Sequence, residues 1–202
     1  EHVLFMADEI YEYINYVGKH TSIGSLEGAK DRTVTINGFS KGFAMTGWRV
    51  GYAGGPKKLI NQINKIQSQS TTHTSSISQA AAIEALNNSE EFINKNKKVY
   101  QERRDIVFSK LKNFDGFDVF LPQGSFYIYV CCNNLMNKKK EDGTLINNDI
   151  EFSDYLLDEA GVAVVPGEAF GCSNYFRTSF ATSKSDLEKG CDKIIEASKK
   201  LK

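Results

Sequence analysis

The stretch from Gly38 to Gly55, GFSKGFAMTGWRVGYAGG, constrains the fold more than any other part of the sequence. It contains six glycines, and among them stand one lysine, one tryptophan and one arginine. Glycine adopts backbone conformations that other residues avoid and lets the chain approach a ligand closely. The pattern fits neither a regular strand nor a regular helix. We therefore expect a loop whose backbone lies against a ligand.

Composition and charge indicate which classes of binding partner the protein can have. The 202 residues are 41% hydrophobic and 25% charged, which is typical of a soluble globular protein. Because 25 basic residues balance 25 acidic ones, there is no overall field to attract nucleic acid or an anionic membrane. The sequence has no apolar run of the roughly 20 residues that a membrane-spanning helix needs. A small-molecule partner is therefore expected, with neither nucleic acid nor a membrane involved.

The four cysteines carry no recognisable motif. Their spacing matches neither a metal site nor a CxxC redox pair, so no metal is expected. Reduced thiols are typical of a reducing compartment, and this favours a cytoplasmic location. The residues concerned are Cys131, Cys132, Cys172 and Cys191.

The first half of the chain has the pattern of an α/β layer. Apolar or β-branched runs predict strands at residues 3–6, 33–36 and 50–53. Apolar residues at helical spacing around Leu59 and Ile63 predict one helix, and Ser78 begins a second, both expected to cover the sheet. Buried parallel strands need neighbours on both sides. We therefore expect the chain to be truncated, with the rest of its sheet in sequence that precedes Glu1.

The second half has a different pattern. Residues 90–111 predict one long amphipathic helix of about 33 Å, followed by a hairpin within FDVFLPQGSFYIYV. A solvated loop is expected at 133–148, a helix at 150–160, and strands at 162–165 and 175–180. A capping box of Ser185 and Glu188 predicts the start of the last helix. The expected domains are 1–89 (the end of an α/β domain), 90–113 (a connecting helix) and 114–202 (a small α+β domain).

Lys41 and Arg49 are the first candidates for chemistry. A lysine in a desolvated pocket or beside another cation loses proton affinity and can form a Schiff base. Arg49, eight residues on, carries a guanidinium that can hold a phosphate through two hydrogen bonds. Together they suit a phosphorylated carbonyl cofactor. Taken singly, Lys41 also fits a solvated loop and Arg49 a surface ion pair.

Asp8 and Tyr11, in the segment MADEIY, are the second pair of candidates. Ligands of open α/β sheets bind beyond the carboxyl ends of the strands, and Asp8 follows the first apolar run. A carboxylate buried there would need a cationic partner, for which a protonated pyridine nitrogen is suitable. Tyr11 could add a phenolic hydrogen bond. The alternative is that Asp8 caps a helix that begins at Glu9.

Six segments together resemble the fold-type I pyridoxal-phosphate aminotransferases of class I/II, and most closely the bacterial-type aspartate aminotransferases. The resemblance runs from Glu1 to Lys202 and implies an α/β PLP-dependent transferase fold of which this chain is roughly the carboxyl-terminal half. The segments are DEIY, NGFSKGFAMTGWRVGY, QSQSTTHTSSISQAAAIEAL, PQGSFYIY, VAVVPGEAFG and YFRTSFA.

The resemblance implies a role for each candidate. Lys41 would form the Schiff base with pyridoxal 5'-phosphate and then act as the general acid and base. Asp8 would pair with the pyridinium nitrogen, and Tyr11 would hydrogen-bond the 3-oxygen. Arg49 would hold the phosphate, with Ser40 as a further candidate ligand. Arg177, in YFRTSFA, would bind the substrate α-carboxylate, although from the residues alone it also fits a solvated strand edge.

The resemblance also implies a reaction: transamination between an amino acid, with aspartate expected, and a 2-oxo acid such as 2-oxoglutarate, in a homodimer with shared active sites. Alternatives are an aromatic, kynurenine-type or prephenate aminotransferase, a related lyase on the same fold, or a non-catalytic piece that lacks half of the cofactor site. Several family site residues would lie before Glu1. The segment 68–76 would approach the neighbouring subunit's site, and its Ser68, Ser70 and His73 include no arginine to indicate dicarboxylate specificity.

Overall fold

The computed structural model describes residues 3–202, and the chain divides into two compact units, Glu1–Lys97 and Lys98–Lys202. We call these the first unit and the second unit. The boundary between them falls inside a long helix, α3 (Glu90–Lys112). The bounds of this helix are nearly those that its amphipathic pattern predicts, residues 90–111. The domain bounds 1–89, 90–113 and 114–202 stay a prediction.

The first unit contains a three-stranded sheet. Strands β1 (Phe5–Asp8), β2 (Thr33–Gly38) and β3 (Gly51–Gly54) lie side by side in that order. β1 pairs with β2 in parallel, and β3 pairs with β2 antiparallel. The three strands are those that the sequence predicts, although β1 begins two residues later than the apolar run suggests.

Two helices follow the sheet in the first unit, α1 (Lys57–Ser70) and α2 (Ser76–Asn88). The buried side of α2 consists of small residues, including Ala82 and Ala85, which pack against Phe39 and Phe43 in the loop after β2. α2 thus supports the glycine-rich loop, and the expectation that both helices cover the sheet stays a prediction. α1 has no fully buried residue.

The second unit is built on a four-stranded antiparallel sheet. The strands β4 (Asp118–Val119), β5 (Tyr127–Cys131), β6 (Val165–Pro166) and β7 (Tyr175–Ser179) lie in the order β4-β5-β7-β6. Alternate residues of β5 point to opposite faces, as pleated strands require. Ile128 and Val130 are completely buried, whereas Tyr127 and Tyr129 lie on the other face and are half-buried.

The core of the second unit lies between the inner face of this sheet and the helices α4 (Asp149–Ala160) and α5 (Lys184–Lys199). Phe117, Phe152 and Phe176 meet there, with ring centroids 5.4 to 6.3 Å apart. Arg104 of α3 is also buried, and its guanidinium donates to the carbonyl oxygen of Pro122 at 3.0 Å. This bond fixes the connection between β4 and β5.

Three sequence expectations for the second unit need correction. The last helix is capped by Ser183, whose Oγ accepts from the main-chain N–H of Asp186 at 3.1 Å, because α5 begins before Ser185. The strand expected at 162–165 is reduced to Val165–Pro166. The segment 133–148 is not simply solvated, because Leu135 and Ile146 are buried in the core.

In the part of the chain from residue 3 onward, the helices are all too short or too polar to cross a lipid bilayer.

Candidate functional site

The strand pairing in the first unit places the predicted site residues at one edge of the sheet. β1 and β2 are parallel, so their carboxyl ends lie together, with Asp8 opposite Ile36. Lys41 follows β2 by three residues. β3 runs the other way and starts with Gly51 opposite Gly38, so Arg49 also lies at this edge. The edge is the position that ligands occupy in open α/β sheets.

Asp8 is exposed at the end of β1. The main-chain N–H of Ile10 donates to Oδ1 of Asp8 at 3.1 Å, which orients the carboxylate. The chain then makes a turn rather than an α-helix, with Glu12 N donating to the carbonyl oxygen of Glu9 at 2.9 Å. The alternative in which Asp8 caps a helix is therefore wrong, and Tyr11 lies half-buried within the turn.

Lys41 is half-buried in a loop that is anchored on both sides. Phe39 and Phe43 flank it, and their rings lie 4.9 Å apart between centroids, within the cluster supported by α2. Gly42 lies so close to Tyr13 that a Cβ built on it would be 2.8 Å from the Tyr13 side chain. Close packing at Gly42 therefore holds the backbone beside Lys41 against the turn that follows Asp8.

Arg49 has an unusual backbone conformation. Its φ of 51° lies in the left-handed region, which costs energy for any residue with a side chain. The side chain is exposed, and its Nη1 donates to the carbonyl oxygen of Thr46 at 2.9 Å. Ser40 is half-buried in the same loop region. The guanidinium of Arg49 thus stands at the rim of the edge that carries Asp8 and Lys41.

Glu9 is a buried carboxylate that the sequence analysis missed. It accepts hydrogen bonds from Ser22 Oγ at 2.8 Å and from the main-chain N–H of Ile23 at 3.2 Å, and it pairs with His20 Nε2 at 3.0 Å. Burial alone would raise its pKa, but the bonds from His20, Ser22 and Ile23 outweigh burial and lower the pKa below its usual value. Glu9 therefore ties the end of β1 to the segment that leads into β2.

A second polar pair missed by the sequence analysis lies next to it. Asn37 is buried at the end of β2 and donates from Nδ2 to the carboxylate of Glu12 at 2.5 Å. Its Oδ1 accepts from the main-chain N–H of Gly38 at 2.7 Å. Because Asn37 is in β2 and Glu12 in the turn after β1, this bond also fixes the strand ends relative to each other.

Arg177 lies in the second unit, on β7 opposite Tyr129 of β5. Its guanidinium carbon Cζ lies 4.2 Å from the ring centroid of Tyr127 and 4.2 Å from that of Phe170. Within residues 3–202, Nε of Arg177 is buried without a hydrogen-bond partner, and no carboxylate lies within ion-pair distance of the side chain. This guanidinium therefore keeps donor capacity for a ligand.

The loop that carries Phe170 is held by Asp149, another residue that the sequence analysis missed. Asp149 is completely buried at the start of α4 and accepts from the main-chain N–H groups of Glu168 at 2.8 Å and Asn174 at 3.0 Å. Tyr129 lies nearby, and burial raises the pKa of its phenol. The hydroxyl of Tyr129 also has no hydrogen-bond partner within residues 3–202.

The chain matches a known protein family and several known proteins. The profile of the family "Aminotransferase class I and II" matches residues 1–194. The chain belongs to this aminotransferase family. It is 45% identical over 202 residues to the aspartate aminotransferase of Rhizobium meliloti strain 1021. It is 47% identical over 195 residues to a probable aspartate/prephenate aminotransferase of Rickettsia conorii.

These matches cover 99% and 96% of the aminotransferase chain but 49% of each relative. The chain thus spans about half the length of the curated relatives it matches, as the resemblance predicts.

Solved structures confirm a partial aspartate aminotransferase fold. The crystal structure of the Rhizobium meliloti aspartate aminotransferase superposes with a TM-score of 0.96 at 45% identity and covers 100% of this chain and 51% of that one. A Thermus thermophilus aspartate aminotransferase tetra mutant superposes with a TM-score of 0.86 at 35% identity, covering 97% and 51%. The α/β fold expected from the sequence is therefore correct.

Proposed function

We propose that the protein carrying this chain catalyses pyridoxal-phosphate-dependent transamination between an amino acid and a 2-oxo acid. The observation that supports this most is the meeting of Asp8, Lys41 and Arg49 at one sheet edge in a chain of the aminotransferase family. A carboxylate, an amine and a guanidinium together suit the three ends of this cofactor: its ring nitrogen, its aldehyde and its phosphate.

The residues present fit the cofactor chemically. When bound, pyridoxal phosphate supplies a carbonyl that condenses with amines and a ring that accepts electrons. Asp8, oriented by the N–H of Ile10, would pair with the ring nitrogen and keep it protonated. Tyr11 would hydrogen-bond the 3-oxygen. Arg49 would bind the phosphate, with Ser40 as a further candidate ligand.

Lys41 would have two tasks. Its Nζ would hold the cofactor covalently when substrate is absent, and the same amine would carry a proton when substrate is bound. It would take the proton from the substrate Cα and return one later in the turnover, which is general acid–base catalysis. The packing of Gly42 against Tyr13 supports this role, because it holds the backbone of the adjacent Lys41 in place.

Arg177 would bind the α-carboxylate of the substrate. A planar guanidinium matches a carboxylate through two parallel hydrogen bonds. No carboxylate within residues 3–202 competes for it, so its charge is available to an incoming acid.

Aspartate is the proposed amino donor and 2-oxoglutarate the proposed acceptor, with a homodimer as the working assembly. The name of the Rhizobium meliloti relative supports aspartate. A prephenate aminotransferase is the second candidate, since the Rickettsia conorii relative is named a probable aspartate/prephenate aminotransferase. A cytoplasmic location remains a prediction that the four free cysteines support.

The covalent role of Lys41 can be tested directly in the full-length protein. Borohydride reduction of the cofactor-loaded protein, followed by peptide mass spectrometry, should find the label on Lys41. Lys41→Ala should lose the label, the absorbance band of the bound cofactor and the exchange of aspartate with 2-oxoglutarate. Lys19→Ala, at an exposed lysine of the same unit, is the matched control and should retain all three. A label on another lysine in the Lys41→Ala protein would overturn the assignment.

A panel of amino donors with 2-oxoglutarate would then separate the substrate classes. Aspartate should give the highest kcat/KM. A clear preference for prephenate as amino acceptor, or for tyrosine or kynurenine as donor, would replace aspartate as the proposed substrate.

A further inference from the structure

Two short segments of the first unit carry most of the proposed cofactor residues. Residues 9–13, which we call the Tyr11 turn, follow Asp8 at the end of β1. Residues 39–45, which we call the Lys41 loop, follow β2. The register of β1 with β2 ends where Asp8 lies opposite Ile36. Beyond that point the strand pairing no longer sets the distance between the two segments, so other contacts must do so.

One side-chain hydrogen bond links the Tyr11 turn to the end of β2. Asn37 is only 4% exposed, and its Nδ2 donates to the carboxylate of Glu12, in the Tyr11 turn, at 2.5 Å. Glu12 is itself half-buried. The other end of the same amide is also used, because Oδ1 of Asn37 accepts from the main-chain N–H of Gly38 at 2.7 Å. Asn37 therefore connects Glu12 to the backbone that leads into the Lys41 loop.

Close packing lies beside this hydrogen bond. A Cβ built on Gly38 would lie 3.2 Å from Cδ1 of Ile10, a residue of the Tyr11 turn. Apolar contacts of this kind are not directional, whereas a hydrogen bond depends on both distance and angle. The packing therefore keeps the two segments together, and the bond between Glu12 and Asn37 fixes how they are aligned.

The carboxylate of Glu12 also lies near two tyrosine side chains. Burial first, and then the negative charge of Glu12, raises the pKa of the Tyr13 phenol. Burial, Glu12 and Glu9, in that order, raise the pKa of Tyr52 on β3. Tyr13 is the residue against which Gly42 packs. A change at Glu12 would therefore reach the Lys41 loop at two points, through Asn37 and through Tyr13.

We infer that Glu12 and Asn37 are positioning residues, whose hydrogen bond aligns the Tyr11 turn with the Lys41 loop for proton transfer. The proposed ligands of the cofactor ring stand on or beside the turn, and the proposed proton carrier stands on the loop. Proton transfer needs the amine within hydrogen-bond reach of the substrate, and a displacement of about 1 Å can cost about 100-fold in rate. The inference rests on the proposed function, because it requires that both segments hold one cofactor.

Glu12→Ala in the full-length protein is the first test, because it removes the acceptor. With pyridoxal phosphate bound, kcat should fall about tenfold or more, while KM for aspartate should change by less than about threefold. The visible circular dichroism of the bound cofactor depends on how the protein holds its ring, and this signal should lose most of its amplitude. In the cofactor-free protein, amide hydrogen exchange at Gly38 should become about tenfold faster or more.

Exchanging the two functional groups provides a rescue. Asn37→Asp alone places a second carboxylate against Glu12 and should reproduce the losses of Glu12→Ala. Combining it with Glu12→Gln exchanges the amide and the carboxylate, so the amide at position 12 donates to the carboxylate at position 37. That carboxylate can still accept from the N–H of Gly38. The double variant should recover kcat to within about threefold of the unchanged protein, together with the circular dichroism.

A second Asn–Glu pair in the first unit is the matched control. Asn88 donates from Nδ2 to Oε1 of Glu84 at 2.7 Å, and both residues are exposed on α2. Glu84→Ala should therefore leave kcat, the circular dichroism and the exchange rate at Gly38 unchanged.

Failure of this inference can be told apart from failure of the proposed function. If borohydride reduction leaves Lys41 of the unchanged protein unlabelled, the proposed function fails and this inference fails with it. If Lys41 is labelled but Glu12→Ala keeps kcat and the circular dichroism, only the positioning role is refuted. A double variant as impaired as Asn37→Asp alone would also refute it, because the hydrogen bond would then not be the cause.

Discussion

The carboxylate of Asp149 accepts a hydrogen bond from the main-chain N–H of Glu168 at 2.8 Å, across 19 residues of sequence. Its other oxygen accepts from the N–H of Asn174 at 3.0 Å. Asp149 is completely buried, so these two N–H groups are satisfied by this side chain in a region that water does not reach. One carboxylate thus holds both ends of the loop that carries Phe170 to the face of Arg177.

Asp149→Asn should destabilise the protein by about 1 to 3 kcal/mol. The amide retains one acceptor oxygen but turns an NH₂ group toward a main-chain N–H, which leaves buried donors unpaired. Loosening of the loop should also raise KM for the amino acid more than it lowers kcat. Urea unfolding and steady-state kinetics of the full-length protein measure the two effects. Asp154→Asn, an exposed position on the same helix, is the control. Equal stability of the two variants would contradict this role.

The features that the sequence predicted well depend on local patterns. The glycines around Lys41 and the β-branched run 33–36 can each be recognised from a few neighbouring residues. The structure contains the loop and the strand that they predict. The structural roles of Glu9 and Asp149 cannot be predicted from the sequence, because their hydrogen-bond partners lie 11 to 25 residues away. No local sequence pattern indicates contacts over such a separation. The sequence predicts Ser185 as the capping residue of the last helix, whereas Ser183 caps it in the structure. Both serines offer a hydroxyl acceptor, so the sequence pattern alone does not decide between them.

Glu9→Gln should destabilise the protein in a pH-dependent way. The side chain of Glu9 is 7% exposed, and loss of its charge weakens three hydrogen bonds, so we expect a loss of about 1 to 3 kcal/mol at pH 7. The pKa of Glu9 in the folded protein is lowered from 4.5, so its stabilising contribution is present above that value. It is lost as the pH falls through the lowered folded pKa.

The unfolding midpoints of the unchanged and Glu9→Gln proteins should therefore differ at pH 7 and converge as the pH falls through the lowered folded pKa of Glu9. Glu27→Gln removes an exposed carboxylate from the same segment and should have little effect at either pH. A difference between the unchanged and Glu9→Gln proteins that grows as the pH falls would have the wrong sign for this mechanism.

Gly42→Ala should impair both stability and activity. The added Cβ would lie 2.8 Å from Cβ and Cδ2 of Tyr13, so the loop must move and carry Lys41 with it. We expect a cost of about 1 to 3 kcal/mol from this overpacking and at least a tenfold loss of kcat. Gly47→Ala is the matched control in the same loop, because a Cβ there meets no atom within 4 Å. Unfolding and transamination assays should therefore separate the two variants, and similar losses in both would show that contact with Tyr13 is not the cause.

Arg49→Gly should weaken cofactor binding without destabilising the protein. The left-handed backbone at Arg49, with φ 51°, costs about 1 kcal/mol that glycine avoids. The cofactor-free variant should therefore be as stable as the parent or slightly more stable. Its affinity for pyridoxal phosphate should fall about 10- to 100-fold, because a charged hydrogen-bonding group is lost.

Asn137→Gly provides the matched control, since Asn137 has a similar φ of 62° but lies outside the proposed cofactor site. Its cofactor affinity, measured by fluorescence titration, should stay unchanged. Unaltered affinity in Arg49→Gly would remove Arg49 from the phosphate site.

The four cysteines should divide into two reactivity classes. Burial raises the pKa of Cys132 to about 12 and that of Cys191 to about 11, whereas Cys131 and Cys172 are partly exposed. The thiolate is the reactive form, so iodoacetamide at pH 8 should label Cys131 and Cys172 first. Peptide mass spectrometry over a time course measures each rate, and labelling in denaturant should make all four similar. Labelling of Cys132 as fast as its neighbour Cys131 in the native protein would show that the core of the second unit opens readily.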